Sequence, residues 1–195
     1  VKARAFGVGV LAAIALACGG ARDIAVQTTR TAEAVVESAT EPPMPCDKEV
    51  GSTPPVGCLS GRIECGQTIE GTTVGGDARW DDVFYASKFC IPALNGHPGP
   101  ERVYLFDAPA QAGVTIKLTS TCVDLDLVAL RFNYDGTCPG PDHAIPQCEG
   151  DDHRGGGRVR IDTFDRGERW LVAVDGKGTA TGTFRLSVEC DMTPR

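Results

Sequence analysis

Apolar and polar residues alternate with a period of two along much of the chain beyond residue 60. In Val114-Thr115-Ile116-Lys117-Leu118-Thr119 the apolar side chains fall on one face and Thr or Lys on the other, the mark of a half-buried strand. Trp170-Leu171-Val172-Ala173-Val174 and Phe184-Arg185-Leu186-Ser187-Val188-Glu189 continue the series, and Asp175-Gly176-Lys177-Gly178 separates them as a turn. Further strands are predicted over residues 67–74, 82–85, 102–106, 125–132 and 158–161. No long helical apolar period follows residue 36. About eight short strands divided by Gly, Pro, Asp and Asn predict an all-β fold, an antiparallel β-sandwich or jelly roll. A parallel α/β sheet would need crossover helices, and these connections are too short and too rich in Gly and Pro to supply them.

The N-terminal part follows a different pattern. Lys2 and Arg4 precede a short apolar run over residues 5–17, and Cys18-Gly19-Gly20 follows it. This reads as an export signal over residues 1–17. Ala15-Leu16-Ala17-Cys18 resembles the lipobox of bacterial lipoproteins, which implies lipidation of the Cys18 thiol before the signal is removed. Ala15 stands where that family usually has Leu, and Ala15-Leu16-Ala17 also serves as an ordinary small-x-small cleavage site. The run falls short of the roughly 20 residues needed to span a bilayer. Residues 18–45, rich in Ala, Thr, Glu and Pro, read as a disordered tether; residues 46–59 as a Cys-bearing connector rich in Pro and Gly; residues 60–195 as the sandwich domain.

Composition narrows the partners. The 24 glycines and 13 prolines suit a turn-rich β protein, and the formal charge of −7 becomes two units more negative once Lys2 and Arg4 leave with the signal. An acidic chain without clustered Lys and Arg argues against nucleic acid. Of nine cysteines, Cys18 is the odd one out. The other eight read as disulfides of an exported protein, since none has the two-residue spacing or nearby His of a zinc site.

Three stretches carry a family resemblance: Gln67-Thr68-Ile69-Glu70-Gly71-Thr72-Thr73, Arg102-Val103-Tyr104-Leu105-Phe106-Asp107-Ala108-Pro109 and Cys122-Val123-Asp124-Leu125-Asp126-Leu127-Val128-Ala129-Leu130. With Asp165-Arg166-Gly167-Glu168-Arg169-Trp170-Leu171-Val172-Ala173-Val174-Asp175-Gly176 and Gly182-Thr183-Phe184-Arg185-Leu186-Ser187-Val188, they make residues 64–190 resemble the bacterial pre-peptidase C-terminal (PPC) domain, in a Cys-rich variety. The resemblance implies a compact β-sandwich on an exported protein, with polymer binding or calcium in some members. No peptidase-like segment precedes it in this sequence, a departure from the accessory role of the family.

Candidate chemistry is sparse. Asp124 and Asp126 flank Leu125 and share a strand face, and Glu149-Gly150-Asp151-Asp152 follows Cys148. If that loop folds over the strand, Asp124, Asp126, Asp151 and Asp152 supply hard oxygen ligands for calcium; otherwise they are a solvated acidic surface, neutralised by Arg154 and Arg158. Asp77, Asp81 and Asp82 form a second acidic stretch of the same kind. His97, His143 and His153 lie in Pro-rich or Gly-rich loops and read as surface imidazoles. Arg154-Gly155-Gly156-Gly157-Arg158 lacks the Lys-Ser/Thr of a phosphate loop and reads as a mobile hairpin. Trp170 reads as core and Trp80 as a ligand-facing aromatic or a staple beneath a loop. With neither a Gly-x-Ser-x-Gly elbow nor a His-Glu-x-x-His helix, catalytic residues are not assigned.

Eight cysteines allow 105 connectivities that spacing alone does not decide; the scheme expected among them pairs Cys46 with Cys58, Cys65 with Cys190, Cys90 with Cys122 and Cys138 with Cys148. The expected function is a non-enzymatic, lipid-anchored sandwich of the outer membrane or cell surface, binding a periplasmic or extracellular protein or polysaccharide. The alternatives are an exported hydrolase, a secreted inhibitor or assembly partner, and a soluble periplasmic or secreted product.

Overall fold

The computed structural model describes Cys46, residues 50–89 and residues 96–192. The expectations for the signal, Cys18, the tether and Cys90 lie outside the described residues. Nine strands among those described build two packed sheets. In chain order the elements are β1 (Leu59–Arg62), β2 (Thr68–Thr72), α1 (Asp82–Lys88), β3 (Arg102–Ala108), β4 (Gly113–Thr119), β5 (Leu125–Arg131), β6 (Gln147–Asp151), β7 (Arg158–Asp162), β8 (Glu168–Gly176) and β9 (Thr183–Asp191). One sheet has the order β1-β3-β8-β5-β6, and the other β2-β9-β4-β7. The fold is an all-β sandwich. All pairings are antiparallel except β1 with β3, which run parallel.

The two sheets are buried differently, and their sequences show it. Strands β4, β7 and β9 alternate buried with more exposed positions, because the second sheet packs one face on the core and turns the other to solvent. Strands β3, β5 and β8 are buried almost continuously. Their inward residues, among them Phe106, Leu127, Trp170 and Val172, meet Val114, Ile116, Phe184 and Leu186 of the other sheet. Their outward residues Val103, Leu105, Val128, Leu130, Leu171 and Ala173 are covered by Trp80, Phe84 and Tyr85. The molecule therefore has three layers locally: the four-stranded sheet, the five-stranded sheet, and a lid of loop and helix on the latter.

Residues 82–88 form that lid, and here the expected strand over 82–85 is overturned. The Asp81 side chain accepts the Phe84 N–H at 3.0 Å, Asp82 occupies the first turn and Lys88 the last. Phe89, at φ 57°, closes the helix by donating its N–H to the Tyr85 carbonyl. These are helix start and stop signals. Seven residues make two turns, too few to display a helical period, so Val83-Phe84-Tyr85 imitates a strand.

Described residues of the connector are bonded to the sandwich. Leu59 opens β1, and Ser52 Oγ accepts the Thr72 N–H at 2.7 Å. Arg102, 2% exposed, donates to the carbonyls of Thr72, Val74 and Thr53 at 2.9, 2.6 and 2.8 Å. A guanidinium buried among carbonyls anchors three chain segments at once.

The disulfides follow this wrapping. Cys65 bridges Cys190, at a Cα separation of 5.4 Å, where the segment before β2 lies beside the end of β9. Cys46 bridges Cys122 and Cys58 bridges Cys138, at Cα separations of 5.4 and 5.8 Å. These bonds replace the expected Cys46–Cys58, Cys90–Cys122 and Cys138–Cys148 pairings. Cys148 is disulfide-bonded too, but not to Cys138. Closeness in sequence misleads because the connector lies against loops from the far half of the chain.

Candidate functional site

Asp126 of β5 and Asp175 of β8 stand directly opposite each other in the antiparallel ladder, on the outward face beneath α1. Both are completely buried. Two acids facing each other across a ladder repel unless each finds its own partner. The Tyr85 hydroxyl, from the second turn of α1, donates to Asp175 Oδ2 at 2.6 Å, and the Gly176 N–H donates to Asp175 Oδ1 at 2.7 Å. Asp126 Oδ2 lies 2.8 Å from His97 Nε2. The His97 backbone N–H donates to Asp82 Oδ1 at 2.9 Å, and its Nδ1 lies 3.4 Å from the same oxygen. Tyr85 and His97 meet edge to face with ring centroids 5.0 Å apart.

His97 is only 1% exposed, which corrects its reading as a surface imidazole. Burial lowers its pKa, but the Asp126 hydrogen bond and the charges of Asp175 and Asp126 outweigh this and raise it above the usual imidazole value. Burial pushes Asp175 up to about 7 against the opposing pull of Tyr85 and His97. The same burial, reinforced by Asp175, holds the Tyr85 hydroxyl well above its ordinary range. Glu101, accepting the Arg79 N–H on both carboxyl oxygens at 3.1 Å, is pushed up to about 8, chiefly by burial.

Beside this buried network lies the acidic cluster that the sequence suggested. Asp124, Asp126 and Asp152 do come together, around Lys177 of the β8–β9 turn. Its Nζ is 3.9 Å from Asp124 Oδ2, 3.8 Å from Asp126 Oδ1 and 3.9 Å from Asp152 Oδ2, and it donates to the Asp152 carbonyl at 3.1 Å. Asp151 turns elsewhere: its Oδ2 accepts the Arg158 backbone N–H at 2.8 Å, and its Oδ1 accepts from the His153 backbone and ring. One ligand atom each from Asp151, Asp152 and His153 lies within 4.8 Å of the others, on the more exposed side. Lys177, and not the expected Arg154 or Arg158, thus faces the three clustered carboxylates.

Other sequence candidates resolve into structure. Trp80 is 1% exposed, stacks on Phe84 at 4.8 Å and donates its indole N–H to the Pro139 carbonyl at 3.0 Å. It is the staple beneath a loop and not a ligand-facing ring. Asp77 pairs with Arg79, Asp81 caps α1 and Asp82 holds His97, so the second acidic stretch is bonded internally. The Gly-rich run forms hydrogen bonds with Leu118 of β4 through Gly157 and with Ser120, just past the strand, through Gly155. Gly156 has φ +120°, and a Cβ there would lie 2.2 Å from the Leu118 carbonyl oxygen, so the close approach requires glycine.

Sequence reasoning missed Lys177, Tyr85, Asp175 and Glu101. Asp175 and Lys177 were visible as turn residues, but their meeting with Asp126 depends on the β5–β8 register, which periodicity does not encode.

No family model and no curated protein matches the chain. Among solved structures, it is similar to the pre-peptidase C-terminal domain of a collagenase from Bacillus anthracis, at 18% identity and a TM-score of 0.42, over 66% of this chain and 93% of that one. It is also similar to PliG of Aeromonas hydrophila, a periplasmic inhibitor of g-type lysozyme, at 14% identity and a TM-score of 0.38, over 64% of this chain and 85% of that one.

Proposed function

We infer that the protein is an exported, disulfide-stapled β-sandwich with a binding or structural role at the cell envelope, tethered by a lipid on Cys18. The observation that carries the reading is the long-range disulfide set, with sequence separations of 76, 80 and 125 residues. Such bonds form and persist in oxidising compartments. A set that pairs cysteines of the folded unit with one another leaves Cys18 available for another chemistry. Residues 1–17 act as the signal, residues 18–45 as the spacer, and the sandwich follows.

The buried chemistry supports a non-catalytic role. A general base needs a ring nitrogen facing a nucleophile. Both ring nitrogens of His97 instead face carboxylates under the α1 lid. An open groove of about 620 Å³ beside β1, lined by Val56, Leu59, Arg62, Tyr134 and Arg169 among others, offers a mixed apolar and guanidinium face to a protein or polysaccharide partner.

Mass measurement of the N-terminus of protein isolated from envelope fractions tests the address. A diacylated or triacylated Cys18 is the expected result, and Cys18→Ser should release the protein into the soluble fraction. A mature chain with a free Cys18 thiol would reduce the reading to a soluble exported sandwich.

A further inference from the structure

The open groove beside β1 contains a hydroxyl with no bond to make. Ser60 lines it and is 6% exposed, and its Oγ is buried with no hydrogen-bond partner among the described residues. A buried hydroxyl left unbonded is costly, so Ser60 marks a place where a partner group is missing. A guanidinium stands two positions along the same strand. The Arg62 side chain is 57% exposed, and among the described residues it makes one bond, from Nη2 to Asp107 Oδ2. Asp107 Oδ1 accepts from Arg169 Nε at 2.6 Å, so two guanidiniums share one carboxylate and this end of the groove keeps a positive charge that Asp107 does not offset. Asp135, also in the lining, turns its Oδ1 to the Thr137 N–H.

The backbone of β1 is open as well. The strand lies at the edge of its sheet, and the Ile63 N–H bonds the Leu105 carbonyl of β3. Alternation then turns the N–H and C=O of Arg62 away from β3, as edge strands do. The arm before β1 does not fill that edge. Val56 and Leu59 exchange backbone bonds at 2.8 and 3.2 Å, the start of a hairpin, but Pro54 and Pro55 have no N–H with which to continue it. The arm and β1 both line the groove, whose volume is about 620 Å³.

We propose that this groove binds an extended acidic peptide segment of a partner protein. The segment sets a carboxylate on Arg62, main-chain groups on Ser60 Oγ and the open edge of β1, and an adjacent apolar side chain over Val56, Leu59 and Leu105. The inference rests on the binding role given above and names the partner's chemistry. A peptide main chain supplies donors and acceptors along a strand edge, and neighbouring side chains supply selectivity. A carboxylate matches the guanidinium donors that Asp107 leaves unused. A neutral polysaccharide would leave that charge unanswered. A second copy of this chain fits less well, because a two-fold interface matches a patch with itself and would set guanidiniums against guanidiniums.

Random linear peptides displayed on phage and selected on the oxidised protein provide the test. The strongest synthetic peptide, and its counterpart with Asn and Gln in place of Asp and Glu, are then titrated by fluorescence polarisation. Selected sequences should carry an acid beside an apolar residue, and the amide counterpart should bind more weakly. Arg62→Gln should weaken binding by about tenfold or more, the worth of a hydrogen bond to a charged group. Ser60→Ala should weaken it by about two- to tenfold and leave the melting temperature of the free protein unchanged or higher, because it removes an unbonded hydroxyl. A serine with a purely structural role would show the reverse. Lys117→Gln removes the same charge from an exposed position on β4 in the other sheet and should leave affinity unchanged. Three results would overturn the proposal. One is no enrichment of any peptide. Another is peptides that lack acids, or whose affinity is the same for Arg62→Gln and Ser60→Ala as for the parent. The third is a dimer in sedimentation that Arg62→Gln dissociates, which assigns the groove to a second copy. All three leave the Cys18 mass measurement standing, so failure of the groove is distinct from failure of the address.

Discussion

Glu101 and Asp175 are buried acids, and burial makes their protonated forms the stable ones up to about pH 8 and about pH 7 respectively. Unfolding returns both to the ordinary carboxylate range near 4. Between those limits the folded state binds more protons than the unfolded one, so their contribution is full below about pH 4 and is lost as pH rises through 7 to 8. His97, also raised, adds to the fall with the same sign. Asp107, held low by its Arg169 hydrogen bond, and Asp151, held low by the Arg158 and His153 hydrogen bonds against burial, act oppositely and only below the carboxylate range. The melting temperature should therefore be higher at pH 5 than at pH 8.5, and Glu101→Gln should flatten much of that slope. A parent protein equally stable at both pH values would contradict the buried-acid account. The raised acids were not legible from residue types, because their shifts follow chiefly from burial that alternation does not report for a doubly covered sheet.

The helix α1 shows how a short element escapes a period and is still determined locally. Asp81 satisfies the Phe84 N–H, and without it the first turn would expose unbonded donors above a buried network. Asp81→Ala should cost about 0.5–2 kcal/mol in chemical denaturation. Because Tyr85 rides on the same helix, the loss should also disturb its bond to Asp175. The sheets offer the complementary case. Alternation marks the one-sided sheet correctly in β4 and β9, whereas β8, which reads as alternating in the sequence, is buried almost continuously because α1 and its loop cover the outer face. Strands β1 and β6 are brief and carry little apolar signal, so they were missed: Gly61 and Gly150 interrupt them, and their stability comes from pairing with β3 and β5.

Taken as a whole, the molecule is held by long-range crosslinks as much as by its core. The Cys65–Cys190 bond ties the segment before β2 to the end of β9, with a sequence separation of 125 residues. Replacing both cysteines by Ser should lower stability by about 2–5 kcal/mol, measured by denaturant unfolding against the parent. Peptide mapping under non-reducing conditions should recover the 46–122, 58–138 and 65–190 linkages. The clustering of Asp124, Asp126 and Asp152 also belongs to this level, since β5, the segment after β6 and the β8–β9 turn must all be in place before the carboxylates meet Lys177.

Strand alternation, the turn residues and the even set of cysteines beyond Cys18 were enough to establish an all-β sandwich crosslinked by disulfides, because each is a local property of neighbouring residues. The short period of strands survives in five or six residues, and turns announce themselves through Gly, Pro, Asp and Asn. The partners of Cys46, Cys58, Cys122 and Cys138, the burial of Trp80 and His97, and the entry of Lys177 among the acids had to await the folded chain. Those depend on register and on which loops cover which sheet face, and contacts between residues far apart in sequence leave no periodic trace. Asp124, Asp126 and Asp152 show the second kind of knowledge: they are separate in the sequence and cluster around Lys177 only where three segments of the folded chain converge.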